Sequence, residues 1–446
     1  MQFTERLKDE TMDRWIVLIS CSVRLAFLSG CMKSNSVILD DVVDTLQTTY
    51  GLVAWGFAIQ SGLAYMFSPV TRLLMNIFSA RQLSVTGGAL IGIGYIYLGL
   101  RVRSVWQFFL SEFVIGTGFG LSSIPGYVTL HSHFPVNFPV MLSFTSLFNY
   151  VGVAVFPLIM QRLKATYGLE LGLLLFGAIT WNNILCGVCL RQVGRSRPAP
   201  TKRTAVTSSE KEDIPEMELK DIVSETTNIG KRQINNTKCL CLSIFYHKTF
   251  TILLGIELFA FYIFMSWALF LVSLGKTMGL NEGEAVLLST AGGIGGLLGK
   301  LSAVFMFKYG KVNAYTCCVI PLVTNGLSML GCTLVHNVYG LSILAFFSGL
   351  SQGVNSSGVS GTIPSTICSH HFSEAIAISY FVDGVAMQLG GFFSGFLHDV
   401  LGSTIYIYRL DAGLCFLILP LVFLWACTDD RVHQCQPEIF PRKSDP

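Results

Sequence analysis

The sequence predicts an all-α membrane protein with twelve transmembrane helices in two six-helix bundles, and three observations predict it. Twelve long apolar stretches lie six on each side of a charged segment running from Arg191 to Lys248. An apolar run of about 20 residues is what a helix needs to cross a bilayer core, where the backbone finds no hydrogen-bond partner except itself. The 446 residues are 52% hydrophobic and only 13% charged, with a mean hydropathy of +0.58. That leaves too little polar surface for a soluble globule. Connections inside each half are short, so neighbouring helices run antiparallel and pack as one bundle.

In chain order, residues 1–14 form a polar N-terminal segment, and Trp15 anchors the first span at the interface. No small-residue cleavage pattern follows, so the first span remains as a helix. Spans are placed near 15–37, 50–75, 83–100, 105–130, 139–161 and 171–190, making a first bundle over 15–190. The second bundle, 249–427, holds spans near 249–275, 284–308, 314–335, 339–362, 374–398 and 408–427, followed by a polar tail over 428–446. Between the bundles, residues 191–248 carry eleven Lys or Arg against seven Asp or Glu, with Pro198, Pro200 and Pro215. Such a stretch cannot bury enough apolar surface to fold alone and is expected to be a largely disordered tether.

Lys and Arg set the expected orientation. With the N-terminus inside, the cytoplasmic side receives Arg6, Lys8, Arg14, Arg81, the tether, Lys308, Lys311, Arg431, Arg442 and Lys443. The first outer loop holds Asp40, Asp41 and Asp44 without a cation, while Arg101, Arg103, Arg162, Lys164 and Lys276 on the outer side count against the assignment. Positive-inside bias therefore puts both termini in the cytoplasm.

Several function classes find no support. There is no basic stripe interleaved with aromatics, hence no nucleic-acid partner. No P-loop or nucleophile elbow occurs, and no enzyme activity or cofactor is expected. The thirteen cysteines are scattered, most within apolar runs such as Cys21, Cys186, Cys189 and Cys415, and read as reduced packing residues. His131, His133, His370 and His371 have no ligand-spaced Cys or carboxylate and read as solvated side chains.

Charges inside apolar spans carry the chemistry. Arg24 sits nine residues into the first span, about 13 Å deep at ~1.5 Å per residue. A cation there costs on the order of 2.5–3.5 kcal/mol unless paired or facing water. It is either an anion-binding residue of a central cavity or half of a structural ion pair, with Glu112, Glu257 and Asp383 as candidate partners. Gly88 with Gly92, Gly292 with Gly296, and Gly391 with Gly395 are small-xxx-small pairs that let helices approach and slide.

A six-plus-six bundle with a cytoplasmic tether resembles the major facilitator plan, in which two halves rock around a mid-membrane site. The residues from His133 to Arg191 sharpen the resemblance: His133-Phe134, Pro139, Gly152, Gln161, Tyr167-Gly168, Leu173 to Gly177, and Gly187 to Arg191 occur in the order seen in the monocarboxylate-transporter family, solute carrier family 16. Asn76 with Arg81, Glu284-Ala285 with Leu287-Leu288-Ser289, and Phe372-Ser373 add fragments, so the similarity covers nearly the whole chain at low level. It implies a plasma-membrane secondary transporter of a small monocarboxylate-type anion, with proton coupling and a single-span accessory glycoprotein as expected partners besides the lipid bilayer. It also implies that Lys33, eighteen residues after Trp15, binds the substrate carboxylate. The reading from position alone is that Lys33 snorkels to the outer interface.

Proton-coupled relatives carry an Asp and, four residues later, an Arg in the eighth span. Here Gly295 and Gly299 stand at those positions, with Lys300 adjacent but about 100° round the helix as a possible substitute cation. Glu257, Asp383 and Glu112 then become the candidate proton-coupling or charge-compensating acids. An uncoupled facilitator of aromatic or zwitterionic solutes, and a transport-inactive membrane sensor or scaffold, are the alternatives that the missing pair leaves open.

Overall fold

The computed structural model describes residues 2–100, 104–134, 138–190, 248–309, 315–366 and 372–429. Among them lie thirteen helices and no strand. The first half contains α1 (Gln2–Leu46), α2 (Tyr50–Met66), α3 (Ser68–Leu74), α4 (Ala80–Gly99), α5 (Val105–His133), α6 (Phe138–Thr180) and α7 (Asn183–Val188). The second contains α8 (Lys248–Thr277), α9 (Glu282–Tyr309), α10 (Thr316–Cys332), α11 (Val338–Thr366), α12 (Phe372–Leu401) and α13 (Thr404–Asp429). Twelve spans result, because α2 and α3 make one crossing and α6 carries the fifth span and most of the sixth around a bend at Gly168. Gly168 has φ of +79°, and an added Cβ would meet nothing within 4 Å. The bend therefore needs glycine for its backbone conformation alone.

Helix starts follow local chemistry. Ser79 caps α4 by accepting from Gln82 N at 3.2 Å, while Gln82 Oε1 accepts from Ser79 N at 3.0 Å. Asn281 and Glu284 exchange the equivalent pair at 2.9 and 3.1 Å at the start of α9. Both satisfy amides that a helix leaves without partners. Six described helices are long and apolar enough to cross a membrane by length and composition alone, among them Lys248–Thr277 and Thr404–Ala426.

The structure departs from the sequence expectations at the ends of α1. The helix takes in the polar residues from Gln2 ahead of the apolar stretch, and it continues past the expected end of the first span to Leu46. Asp40, Asp41 and Asp44 consequently lie on its last turns and not in a loop. His133 is buried, with Nδ1 2.9 Å from the Thr129 carbonyl, and is not a solvated side chain. The described cysteines, Cys21 and Cys415 among them, are free thiols. Residues 191–247, His370, His371 and the tail from 430 lie outside the described residues.

Each half has an aromatic interior. Phe57 meets Phe108 edge-on at 5.2 Å in the first, and Trp267, Phe270, Tyr408 and Trp425 are fully buried in the second. The halves meet along α1 with α8, α2 with α12, and α6 with α9. Glycine makes the closest of these seams: Gly391 rests on Ala54 and Ala58, and Gly395 on Gly51. Small faces allow such approach between helices in lipid.

Candidate functional site

Arg24 is buried, 3% exposed, and bound within its own half. Its Nη1 donates to the Ser122 carbonyl and its Nη2 to the Ser123 carbonyl at 3.2 Å. Pro125 lies in the same stretch of α5, where its missing N–H leaves the Leu121 carbonyl without a helical donor, and the two serine carbonyls accept from Arg24 through their second lone pairs. Gly126 completes the niche, since any Cβ there would run into the guanidinium. Among the described residues Arg24 forms no ion pair with Glu112, Glu257, Asp383 or any other carboxylate.

Lys33 lies between the halves. Thirteen further residues of α1 follow it, so its ammonium stands well short of the helix end, and the side chain is 1% exposed and cannot snorkel. Nζ donates to the carbonyls of Trp267 and Ala268 on α8 at 3.1 and 3.0 Å and sits 4.0 Å from the centre of the Trp267 ring. Mid-helix carbonyls retain a second lone pair for this purpose. The indole face adds a cation–π contact. No carboxylate neutralises it among the described residues.

Rotation of α9 decides the roles of Gly295, Gly299 and Lys300. A side chain at Gly295 would strike the Phe346 carbonyl of α11, and one at Gly299 the Leu350 carbonyl. Both positions are therefore packed against α11 and face away from the gap between the halves. The other face of α9, Gly293 and Gly296, rests on Ala154 and Tyr150 of α6 in the first half. Lys300, on that side, donates to Ser356 Oγ at 3.3 Å, and Tyr150 Oη lies 3.5 Å from the same oxygen. The rotation that made Lys300 an imperfect substitute by alignment is what turns it toward the opposite half.

The acids separate into two environments. Glu112 is fully buried inside the first bundle beside Tyr95 and Cys31, with both oxygens lacking a hydrogen-bond partner. Near it Asn35 donates to Gln60 at 2.7 Å and Gln60 to the Tyr95 hydroxyl at 3.0 Å. Glu257 and Asp383 lie within electrostatic reach of each other in the second half and of Tyr380, which also faces Tyr65 and Tyr127 from the first half. The Tyr65 and Tyr380 rings are 5.9 Å apart.

At the end where α1 closes and α2 begins, carboxylates join the halves. Asp40 accepts from Lys276 at 2.8 Å. Lys164 bridges Asp41, at 2.6 Å, and Glu282. Asp399 of α12 accepts from the amides of Tyr50 and Gly51 at 2.8 and 2.7 Å, capping α2 from across the interface. Sequence reasoning missed this rim because it treated each cation only as an orientation marker. It also missed Asp411, fully buried and accepting from Ser266 at 2.5 Å; a lone acid within the apolar run of the last span was the available signal.

Comparison with known proteins gives these arrangements a family. A profile of the Major Facilitator Superfamily matches residues 25–324. Monocarboxylate transporter 2 of Homo sapiens is 23% identical over 433 residues, covering 94% of this chain and 86% of that protein. Monocarboxylate transporter 4 of Mus musculus is 24% identical over 414 residues, covering 92% and 82%. A POT family transporter solved in complex with 5-aminolevulinic acid superposes with a TM-score of 0.69 at 15% identity, covering 93% of this chain and 96% of that one. Tetrameric PepTSo2 gives 0.66 at 16% identity, covering 95% and 100%. With twelve spans in two halves and charged side chains gathered between them, the chain belongs to the major facilitator superfamily and is a multi-pass secondary transporter, not an enzyme.

Proposed function

We propose that this protein moves a small monocarboxylate-type anion by alternating access, in the plasma membrane with both termini in the cytoplasm. The observation that carries the reading is Lys300: a cation facing the opposite half whose hydrogen-bond partner is a neutral hydroxyl. A carboxylate entering a dry cavity needs a fixed positive partner, and Lys300, Ser356 and Tyr150 offer an ammonium and two hydroxyls around one point. Lys33 is the second cation of the pathway, since carbonyls and an indole face hold it without neutralising it and a carboxylate competes well for it. Arg24 is committed to the carbonyls of α5 and supplies positive potential from there. The orientation is supported by the rim contacts, because Lys164 and Lys276, which count against it, are occupied by Asp40, Asp41 and Glu282.

The test is counterflow of labelled L-lactate and pyruvate into liposomes containing the purified chain. Lys300→Met and Lys33→Met are expected to lower uptake by about 10–100-fold, the equivalent of losing one charge-assisted hydrogen bond. Undiminished uptake in both variants would remove the assignment. A second reading, an aromatic or zwitterionic solute, is favoured by Tyr65 and Tyr380 standing near two acids, with Tyr127 beside the two tyrosines. Faster uptake of an aromatic amino acid than of lactate decides for it.

A further inference from the structure

Helix α1 carries buried polar side chains on two opposite faces. At about 100° per residue, Arg24, Cys31 and Asn35 fall within roughly 20° of one line along the helix, and Lys33 stands about 180° from that line. The first face is bound inside the first half. Arg24 donates to the Ser122 and Ser123 carbonyls of α5. Asn35 donates from Nδ2 to Gln60 Oε1 of α2 at 2.7 Å, and Gln60 Nε2 donates to the Tyr95 hydroxyl of α4 at 3.0 Å. Cys31 Sγ is in hydrogen-bonding contact with the same hydroxyl. Lys33 points the other way, to the Trp267 and Ala268 carbonyls of α8 in the second half.

This chain of hydrogen bonds sets the rotation of α1. Asn35, Gln60, Tyr95 and Cys31 are all buried, and a buried amide without a partner is costly, so the chain resists breaking. The Tyr95 ring at its end is fixed edge-on against Phe176 of α6 at 5.2 Å. Gly152 of α6 rests on Ala26 of α1, and Gly30 of α1 rests on Phe156 of α6. These apolar contacts set the distance of α1 from its bundle, whereas the directional bonds of Asn35 set how far it turns. A rotation of one residue, about 100°, would take Asn35 off Gln60 and swing Lys33 out of the gap between the halves. The carbonyls of α8 cannot hold Lys33 throughout a transport cycle, because they leave with the second half when the halves separate. Contacts within the first half then aim it.

We propose that Gln60 is a positioning residue for Lys33: it holds Asn35, and through Asn35 the rotation of α1 that presents the ammonium to the gap. The proposal rests on the carboxylate reading above for what Lys33 does, and on the geometry alone for where it points. One amide suits the task because it accepts from α1 and donates to α4 at once, tying three helices together behind the cation. Its length matters as much as its chemistry. Gln60→Asn withdraws the amide by one methylene, and Asn35→Gln extends the partner by the same amount.

The experiment uses purified full-length protein carrying 5-fluorotryptophan, in which Trp267→Phe identifies the Trp267 line among the six tryptophan resonances in fluorine NMR. Lys33→Met is expected to shift that line by taking the ammonium from the ring. Gln60→Met and Gln60→Asn are expected to shift it in the same direction, and the exchanged pair Asn35→Gln/Gln60→Asn to return it. In liposomes with labelled L-lactate, Gln60→Asn is expected to raise the half-saturating concentration by about 2–10-fold, the equivalent of one hydrogen bond, and the exchanged pair to restore it. In a Lys33→Met background the Gln60 substitution is expected to add nothing further, whereas a general loss of packing would add in full. An unmoved Trp267 line in both Gln60 variants, no recovery in the exchanged pair, or full additivity with Lys33→Met overturns the proposal. Lactate uptake that is absent, or indifferent to Lys33→Met, defeats the carboxylate reading instead. The Trp267 line then judges the positioning by itself: a shift in the Gln60 variants that the exchanged pair reverses supports it, and an unmoved line overturns it. Gln60→Asn and the exchanged pair carry both measurements if Gln60→Met does not elute as a monodisperse species.

Discussion

Arg24 and Lys33 show how differently one helix can use two buried cations. Arg24 is tied to two carbonyls of α5, in a niche that exists because Gly126 has no side chain. Gly126→Ala is expected to displace the guanidinium and destabilise the first half by about 1–3 kcal/mol, the usual range for overpacking, read as a lower thermal midpoint in detergent. Lys33 instead reaches across to α8, and its partners there are carbonyls that a substrate carboxylate can replace. Substitution at Trp267 separates the roles. Trp267→Leu is expected to leave Arg24 and the first half undisturbed while removing about 0.5–2 kcal/mol of cation–π attraction from Lys33. The corresponding change of about 2–30-fold in half-saturating substrate concentration is measurable in the same liposomes. From the sequence, the depth of Arg24 in an apolar helix was legible, whereas Lys33 was placed at the outer interface because the first span was expected to end near residue 37 and the helix runs to Leu46. The direction of each side chain was not legible, because it depends on which distant helix supplies the neighbour.

Among the elements, α9 is the most informative. Its glycines are shared between two neighbours: Gly295 and Gly299 lie against α11, while Gly293 and Gly296 lie against α6. Placing an ion pair in this helix by Gly295→Asp with Gly299→Arg is therefore expected to fail. Both side chains would enter backbone of α11, and the expected outcome is loss of well-folded protein in size-exclusion chromatography and not a gain of proton coupling. The resemblance puts the pair at these positions and gives Lys300 its offset of about 100°. What it lacked was the rotation of α9 about its axis, which packing on α11 and α6 sets.

Across the whole molecule, the contacts at the α1–α2 end hold the halves together there. The pairs across the halves, Lys276–Asp40 and Lys164–Glu282, have side chains between 10% and 38% exposed, so solvent screens them and each is worth roughly 0.2–1 kcal/mol. Removing the pairs through Lys164→Ala/Lys276→Ala is expected to shift the equilibrium toward opening at this end by about 0.4–2 kcal/mol, or roughly 2–30-fold. Spin labels placed on α2 and α12 near this rim, read by pulsed distance measurement, would report a longer-distance population that grows in the variant and with added salt in the wild type. No change in the distance distribution would mean that the helix seams alone keep the end closed.

The sequence by itself determined that this chain crosses the membrane twelve times in two bundles, because lipid offers an apolar segment no way to satisfy its backbone other than as a helix of bilayer length. It also placed rare charges within those helices, since each stands out against an apolar background. Only the tertiary structure decided which of these charges face the gap between the halves. Lys33 and Lys300 do, while Glu112 is turned into a packed interior. Hydropathy counts residues along a helix and is blind to its rotation, and rotation is set by contacts between helices hundreds of residues apart, such as Asp399 on the amides that open α2.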